Sequence, residues 1–379
     1  MDDGAPRLAM VAGEASGDLL ASHLLAALRA RWPDLRAAGV GGPLMAAQGF
    51  DAWWPSERLA VHGYAEALRH YRALSALRRE LGTRLLAERP DLFVGVDAPD
   101  FNLGLEARLK SGGVRTVHFV CPSIWAWRGG RAARLAASVD HVLCLFPFEP
   151  ALLERHGVAA TYVGHPLADV IPLDPPTAAA RAALGLPDGD PVVALLPGSR
   201  SGEVAHLAPR FIAAARLLLR ERPRLRFVMP AAPGQRMRLE AMAAGHDLPL
   251  VLVDGRSHEA LAACDVTLIA SGTATLEAML FKRPMVIAYH MNELSWQIMN
   301  RMRYQPWVGL PNILCQDFVV PELLQRAASP EALAREVGRW LDDPPRMLAL
   351  HARFTDLHQQ LRRGTARAAT DAIATLLGR

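Results

Sequence analysis

What most constrains this chain is the recurrence of short apolar runs separated by helix-length amphipathic stretches. Leu8 to Ala12, Leu92 to Val96, Thr116 to Val120, His141 to Phe146 and Thr161 to Val163 form a first set. After "GHPLADVIPLDPPTAAA" the alternation restarts with "VVALL", "LRFVM", "LVLV", "VTLIA" and "PMVIAY". Such runs read as strands, and strands alternating with helices mean βαβ units around a parallel sheet. Pro166, Pro172, Pro175 and Pro176 mark the break between the sets. We therefore expect an α/β chain of two Rossmann-like domains facing across a cleft, over residues 1–172 and 173–345. From Pro330 the pattern is purely helical, and 346–379 reads as helices returning toward the first domain. A length of 379 residues, 51% of them hydrophobic, supplies two cores.

Composition removes several classes. A formal charge of +4 is too mild to imply nucleic acid, and the Arg-rich stretch from Arg216 to Arg226 reads as solvated helix faces and turns. Cys121, Cys144, Cys264 and Cys315 lie far apart without a C-x-x-C, against both a zinc ribbon and a disulfide framework. The start, "MDDGAPRLAMVAG", is acidic and unlike a secretory signal, and no apolar run approaches the ~18 residues of a spanning helix. We expect a cytoplasmic protein, with attachment to a membrane surface left open. In "HGYAEALRHYRALSALRRELGTRLLAERP", Tyr64, Leu68, Tyr71, Leu74 and Leu77 interleave with Arg69, Arg72, Arg78 and Arg79. Two readings stand: a basic helix lying in a membrane interface, or a surface helix with its apolar side in the core. Oligomeric state leaves no signal in the sequence.

Ligands of doubly wound sheets bind beyond the carboxyl ends of the strands, so chemistry is sought in the loops there. The first loop, "VAGEASGDLL", lacks the G-x-G-x-x-G and distal acid of a dinucleotide site, so no nicotinamide or flavin cofactor is expected. Ser16 and Asp18 are candidate caps of the following helix; Glu14 precedes the cap region and suits sugar hydroxyls. In "FVGVDAPDFN", Pro99 should hold Ala98 extended and leave Asp100 as the cap. Asp97, at the strand tip, is then the better general base, a weak one at the ordinary pKa of ~3.9 that burial in a closed cleft would raise. "CPSIWAWRGGRAAR" joins Trp125 and Trp127 to Arg128, Arg131 and Arg134, which suits an anionic, partly apolar ligand; packing in a helix–sheet seam suits the rings equally.

Two later loops look made for phosphate. Gly198 and Ser199, followed by Arg200, lie between a strand and a helix, where exposed N–H groups bind anions. Ser271, Gly272 and Thr273 open a second such helix, and Glu277, one turn on, is placed to accept a ribose diol, or is an ordinary exposed helix Glu. Two phosphate-type turns and a diol acceptor in one domain point to a nucleoside diphosphate. These strand-following loops carry no D-x-D, and the chain has no H-E-x-x-H, so neither metal nor other cofactor is expected.

Taken together, "GEASGD", "VDAPDFN", "SIWAWR", "LLPGSR", "ASGTATLE" and "LPNIL" resemble the lipid-A-disaccharide synthase family, in order from Leu8 to about Arg362. The resemblance implies an inverting glycosyltransferase of the B-type two-domain fold. Its donor would be UDP-2,3-diacylglucosamine and its acceptor 2,3-diacylglucosamine 1-phosphate, joined β-1′,6 with release of UDP. It also implies a peripheral protein on the cytoplasmic face of the inner membrane of Gram-negative bacteria. Residue by residue it makes Asp97 the base and puts Glu14, Ser16, Trp127 and Arg128 on the acceptor side. Arg200, Ser271, Gly272 and Thr273, with Gly198 and Ser199, would hold the diphosphate, Glu277 the ribose, and Asn312 would lie in a loop facing the donor. Cys121 departs from the serine usual at its position. Two alternatives remain: another UDP-sugar enzyme of this fold, such as an undecaprenyl-linked transferase or a UDP-sugar 2-epimerase, and a non-catalytic nucleotide sensor attached to membranes.

Overall fold

A computed structural model describes residues 5–59, 67–124, 130–292, 296–297, 301 and 305–379. Its compact units are Met1–Asp169 with Leu361–Arg379, and Val170–Gln360.

The first unit is built on a seven-stranded parallel sheet in the order β3-β2-β1-β4-β5-β6-β7. Its strands are β1 Arg7–Ala12, β2 Arg36–Gly41, β3 Asp51–Pro55, β4 Leu92–Val96, β5 Thr116–Phe119, β6 His141–Cys144 and β7 Ala160–Tyr162. The apolar run of β4 is buried throughout, as expected of a central parallel strand covered by helices on both faces. Order reverses between β1 and β4, which pair in register from Leu8 with Leu92 to Ala12 with Val96. One face is covered by helix Ala15–Arg31, whose Leu24, Leu25 and Leu28 share a core with Ala369 and Ile373 of the last helix, Thr365–Leu377. On another core, Leu77, Leu81 and Leu85 of helix Ala67–Glu88 are buried and Leu74 packs against them. These leucines therefore follow the core reading of that helix; Tyr64 lies outside the described residues, as do the side chains of Leu68, Arg69 and Tyr71.

The second unit repeats the plan with six parallel strands, order β10-β9-β8-β11-β12-β13. They are β8 Val192–Leu196, β9 Arg226–Ala231, β10 Leu250–Asp254, β11 Val266–Ala270, β12 Met285–Tyr289 and the short β13 Glu322–Leu324. Its reversal falls between β8 and β11, both wholly buried.

The helical segment 346–379, expected to return as one piece, divides. Helix Pro344–Leu361 belongs almost entirely to the second unit, because Phe354 and His358 are fully buried there and His358 Nδ1 lies 2.7 Å from Lys282 Nζ. Only the segment from Leu361 onward joins the first unit.

Candidate active site

In the first unit, β1 and β4 end side by side, so Gly13-Glu14 and Asp97-Ala98 emerge from adjacent strand tips at the switch point. A Cβ on Gly13 would stand 3.1 Å from Ala98 Cβ, a measure of how closely the two loops pass. Glu14 holds the N-cap position of helix Ala15–Arg31 without making a cap bond, and both Glu14 and Ser16 are exposed. Asp18 is a cap, but of a different helix. Only 2% exposed, it accepts hydrogen bonds from the N–H groups of Gly42 (2.9 Å), Leu44 (3.0 Å) and Met45 (3.1 Å), at the start of helix Pro43–Ala47. Its carboxylate lies so near the backbone that a Cβ on Gly42 would meet Asp18 Oδ2 at 2.4 Å.

The turn after β4 departs from expectation. Ala98 is not extended: Asp97 (φ 51°) and Ala98 (φ 44°, ψ 53°) are both left-handed. Ala98 is the N-cap of helix Pro99–Ser111, so Asp100 falls in its first turn instead of capping it. The physical reason is that the chain must turn sharply at the strand tip for Pro99 to start the helix. Left-handed non-glycine residues cost on the order of 1–3 kcal/mol each and concentrate at functional sites. Asp97 is exposed on its unit. Trp125, Trp127 and Arg128 lie outside the described residues. Cys121 is buried, and its thiol is pushed up by a hydrogen bond with Cys144 and by burial, so it is a core residue.

In the second unit, the two phosphate-type turns line one cavity of about 440 Å³. Gly198, Ser199, Arg200, Ser271, Gly272, Thr273 and Glu277 all face it. The turns differ in kind. At the first, Arg200 is the N-cap of helix Ser201–Glu221, and Glu203 closes a capping box. Glu203 Oε2 accepts from the N–H groups of Ser199 (3.2 Å) and Arg200 (3.3 Å), while Oε1 pairs with the Arg200 guanidinium at 2.8 Å. The donors expected to be open to an anion thus carry an internal carboxylate, over a Gly198 (φ 110°) whose Cβ would meet it at 2.6 Å. At the second turn, Gly272 (φ 154°) precedes helix Thr273–Leu280 and no side chain caps it, so the positive end of that helix opens on the cavity.

Glu277 is one turn into that helix, with His258 Nε2 3.6 Å from its Oε1; the Glu277 carboxylate beside it raises the pKa of His258. Ser271 donates its hydroxyl to the Val308 carbonyl at 3.0 Å. Asn312 does not face the cavity from a loop. It is fully buried on helix Leu310–Cys315, accepting from Val319 and Val320 N–H and donating to Val320 O and Glu322 Oε1. Glu322 in turn accepts from Val308 and Gly309 N–H, so Asn312 reaches Ser271 only through this chain. The chain's one D-x-D, Asp188-Gly189-Asp190, precedes β8 at the other end of the sheet, with Asp190 paired to Arg224 and Arg226.

Sequence reasoning missed Glu203 and His258. A capping box announces itself when Ser or Thr stands three residues before Glu; here the cap is Arg200, which hides it. His258 carries no local signal, since its partner is distant in sequence.

Two doubly wound units, one with an open helix terminus beside the Glu277 carboxylate and the other with exposed Asp97 at its switch point, are the two-domain plan of α/β glycosyltransferases. Solved structures agree on the fold: the chain is similar to UDP-GlcNAc 2-epimerase from Neisseria meningitidis (TM-score 0.64, 10% identity, 98% of this chain and 100% of that one). It is also similar to MurG of Acinetobacter baumannii (TM-score 0.62, 13% identity, 98% and 100%). Sequence likeness is far greater to proteins named lipid-A-disaccharide synthase, at 60% identity in Albidiferax ferrireducens (98% of this chain, 97% of the relative) and 56% in Aromatoleum aromaticum (99% and 97%). The family model described as lipid-A-disaccharide synthetase matches residues 8–375. The chain belongs to the lipid-A-disaccharide synthetase family and is a glycosyltransferase.

Proposed function

We propose that this enzyme transfers 2,3-diacylglucosamine from UDP-2,3-diacylglucosamine to the 6-hydroxyl of 2,3-diacylglucosamine 1-phosphate, with inversion, giving the β-1′,6 disaccharide 1-phosphate and UDP. The observation that carries this reading is the near whole-chain likeness to proteins named for that synthesis. Asp97 takes the proton of the acceptor hydroxyl as its oxygen bonds to the anomeric carbon. The bond from that carbon to the diphosphate breaks, and its electron pair leaves with UDP. The first unit, 1–172 in the sequence division, holds the acceptor, with Glu14 and Ser16 on its sugar hydroxyls. The second, 173–345, holds the donor. Its diphosphate lies on the open turn of Ser271, Gly272 and Thr273 and on Gly198, Ser199 and Arg200, with Glu277 on the ribose. Asn312 serves this pocket by holding the backbone behind Ser271.

Both substrates carry acyl chains, so the enzyme works at a lipid surface, as a peripheral protein on the cytoplasmic face of the inner membrane. No helix among the described residues is long and apolar enough to cross a membrane. The test is UDP release from UDP-2,3-diacylglucosamine with and without the acceptor. Release that needs the acceptor is expected; release without it, or none, overturns the reading.

A further inference from the structure

Under the Asp97 turn lies a set of buried polar side chains that the reaction itself does not use. Asn102, on the first turns of helix Pro99–Ser111, is fully buried. Its Nδ2 donates to the Asp97 carbonyl at 2.8 Å and lies within 3.4 Å of Val96 O and 3.5 Å of Val11 O. Those carbonyls end the two strands that flank the switch point, β4 and β1. One helical turn further, Glu106 bonds His118 of β5 at 2.8 Å, both fully buried. Gly95 makes room: a Cβ there would meet Glu106 Oε1 at 2.2 Å and Asn102 Cβ at 3.1 Å, so a larger residue in β4 would push the helix off the sheet.

A helix position facing a sheet is ordinarily apolar, because burying an amide is costly unless its hydrogen bonds are made. At Asn102 the donor side of the amide is bonded to the turn that carries the base, while its buried Oδ1 has no partner among the described residues, so the residue is kept at a cost that packing alone does not require. Asp97 is clamped at both ends, its N–H donating to Phe119 O at 2.8 Å and its carbonyl accepting from Asn102. That clamp holds two successive non-glycine residues left-handed, a conformation neither prefers. We infer that Asn102 is a positioning residue for the transfer reaction, holding the strand-tip turn that aims the Asp97 carboxylate. This rests on Asp97 being the base.

The experiment uses the full chain with both lipid substrates and measures kcat, the two KM values and UDP affinity. Variants are Asn102→Ala and Asn102→Val, each alone and combined with Asp97→Asn; Asn102→Val, nearer in volume and lacking any donor, gives the reading where Asn102→Ala does not fold. Misaiming a reacting group by about an ångström costs on the order of 10²-fold. We expect kcat to fall roughly 10- to 100-fold, with both KM values and UDP affinity within about twofold of the parent. In the Asp97→Asn background the Asn102 changes should cost nothing more, since there is no base left to aim. The inference is overturned if kcat is retained, if the loss repeats in full on top of Asp97→Asn, or if KM and UDP affinity worsen in step with kcat. Near-normal turnover by Asp97→Asn alone would instead remove the base assignment on which the inference stands.

Discussion

One carboxylate, Asp18, serves three N–H groups at the start of a neighbouring helix, and its removal should be felt throughout the first unit. Truncating an ordinary cap costs ~0.5–2 kcal/mol. Here Asp18 is buried and so are the Gly42 and Met45 donors, and bonds to a charged acceptor are worth ~1.5–3 kcal/mol each. Allowing for water entering the space, Asp18→Ala should cost ~3 kcal/mol. Asp18→Asn is milder. Its Oδ1 can keep the Gly42 and Met45 bonds, but its amide meets the Leu44 N–H donor to donor, for ~1–2 kcal/mol. For a unit of this size 1 kcal/mol moves Tm by ~2–4 °C, so calorimetry of the full chain should show a transition ~6–12 °C lower for Ala and about half that for Asn. UDP binding, which we assign to the other unit, should not change. Both variants within about 1 °C of the parent, or Ala no worse than Asn, would refute the reasoning. Gly42→Ala supplies a cross-check, since its Cβ conflicts only with the carboxylate: it should be damaging alone and much less so beside Asp18→Ala.

Asp97→Asn should lower kcat by roughly 10²- to 10⁴-fold in the UDP-release assay, and a variant that turns over normally removes Asp97 as base. Arg200→Ala should cost on the order of 10²- to 10³-fold in kcat and weaken UDP; unchanged UDP affinity by titration calorimetry would end its phosphate role. Because Glu203 occupies the donors of that same turn, Glu203→Gln should tighten UDP by ~3- to 10-fold, whereas weaker binding would mean the carboxylate holds the turn in its binding shape. His165 is buried, its Nδ1 accepting from Leu167 N–H, and burial lowers its pKa to about 4. The unfolded chain, with a histidine pKa near ~6.5, then binds the extra proton first, so stability is full above about 6.5 and erodes as pH falls toward about 4, by ~3 kcal/mol in all. Denaturant titrations at stepped pH should show that slope in the parent and a shallower one in His165→Gln; equal slopes would exclude His165 as its source.

Central strands were legible because being buried on both faces forces an unbroken apolar run, as in Leu92–Val96 and Val192–Leu196. The edges were not: β3, "DAWWP", is half-exposed, and β13 is a three-residue strand, so neither is marked by an apolar run. Loop positions followed from strand ends, which is why Glu14, Asp97, Gly198 and Ser271 come out at the two switch points. Backbone conformation and partners did not. Nothing local says that Asp97 and Ala98 turn left-handed, because the clamp on them comes from Asn102 and from the neighbouring strand β5. The family resemblance put Asn312 in a loop facing the donor, and nothing local shows otherwise, because its partners lie seven to ten residues on. Asp18 shows the same limit: a cap could be read from its type, but not which helix it caps.

The first unit begins with Met1 and is completed by Leu361–Arg379, whose Ala369 and Ile373 enter the core beside Leu24 and Leu28. A ribosome therefore releases the whole of Val170–Gln360 before it delivers the final piece of the unit it started with. The first unit waits for Leu361–Arg379 with one helix face uncovered. Losing even a short stretch of Leu361–Arg379 would injure the unit built on Arg7–Ala12, far away in sequence, and with it the half that we assign to the acceptor.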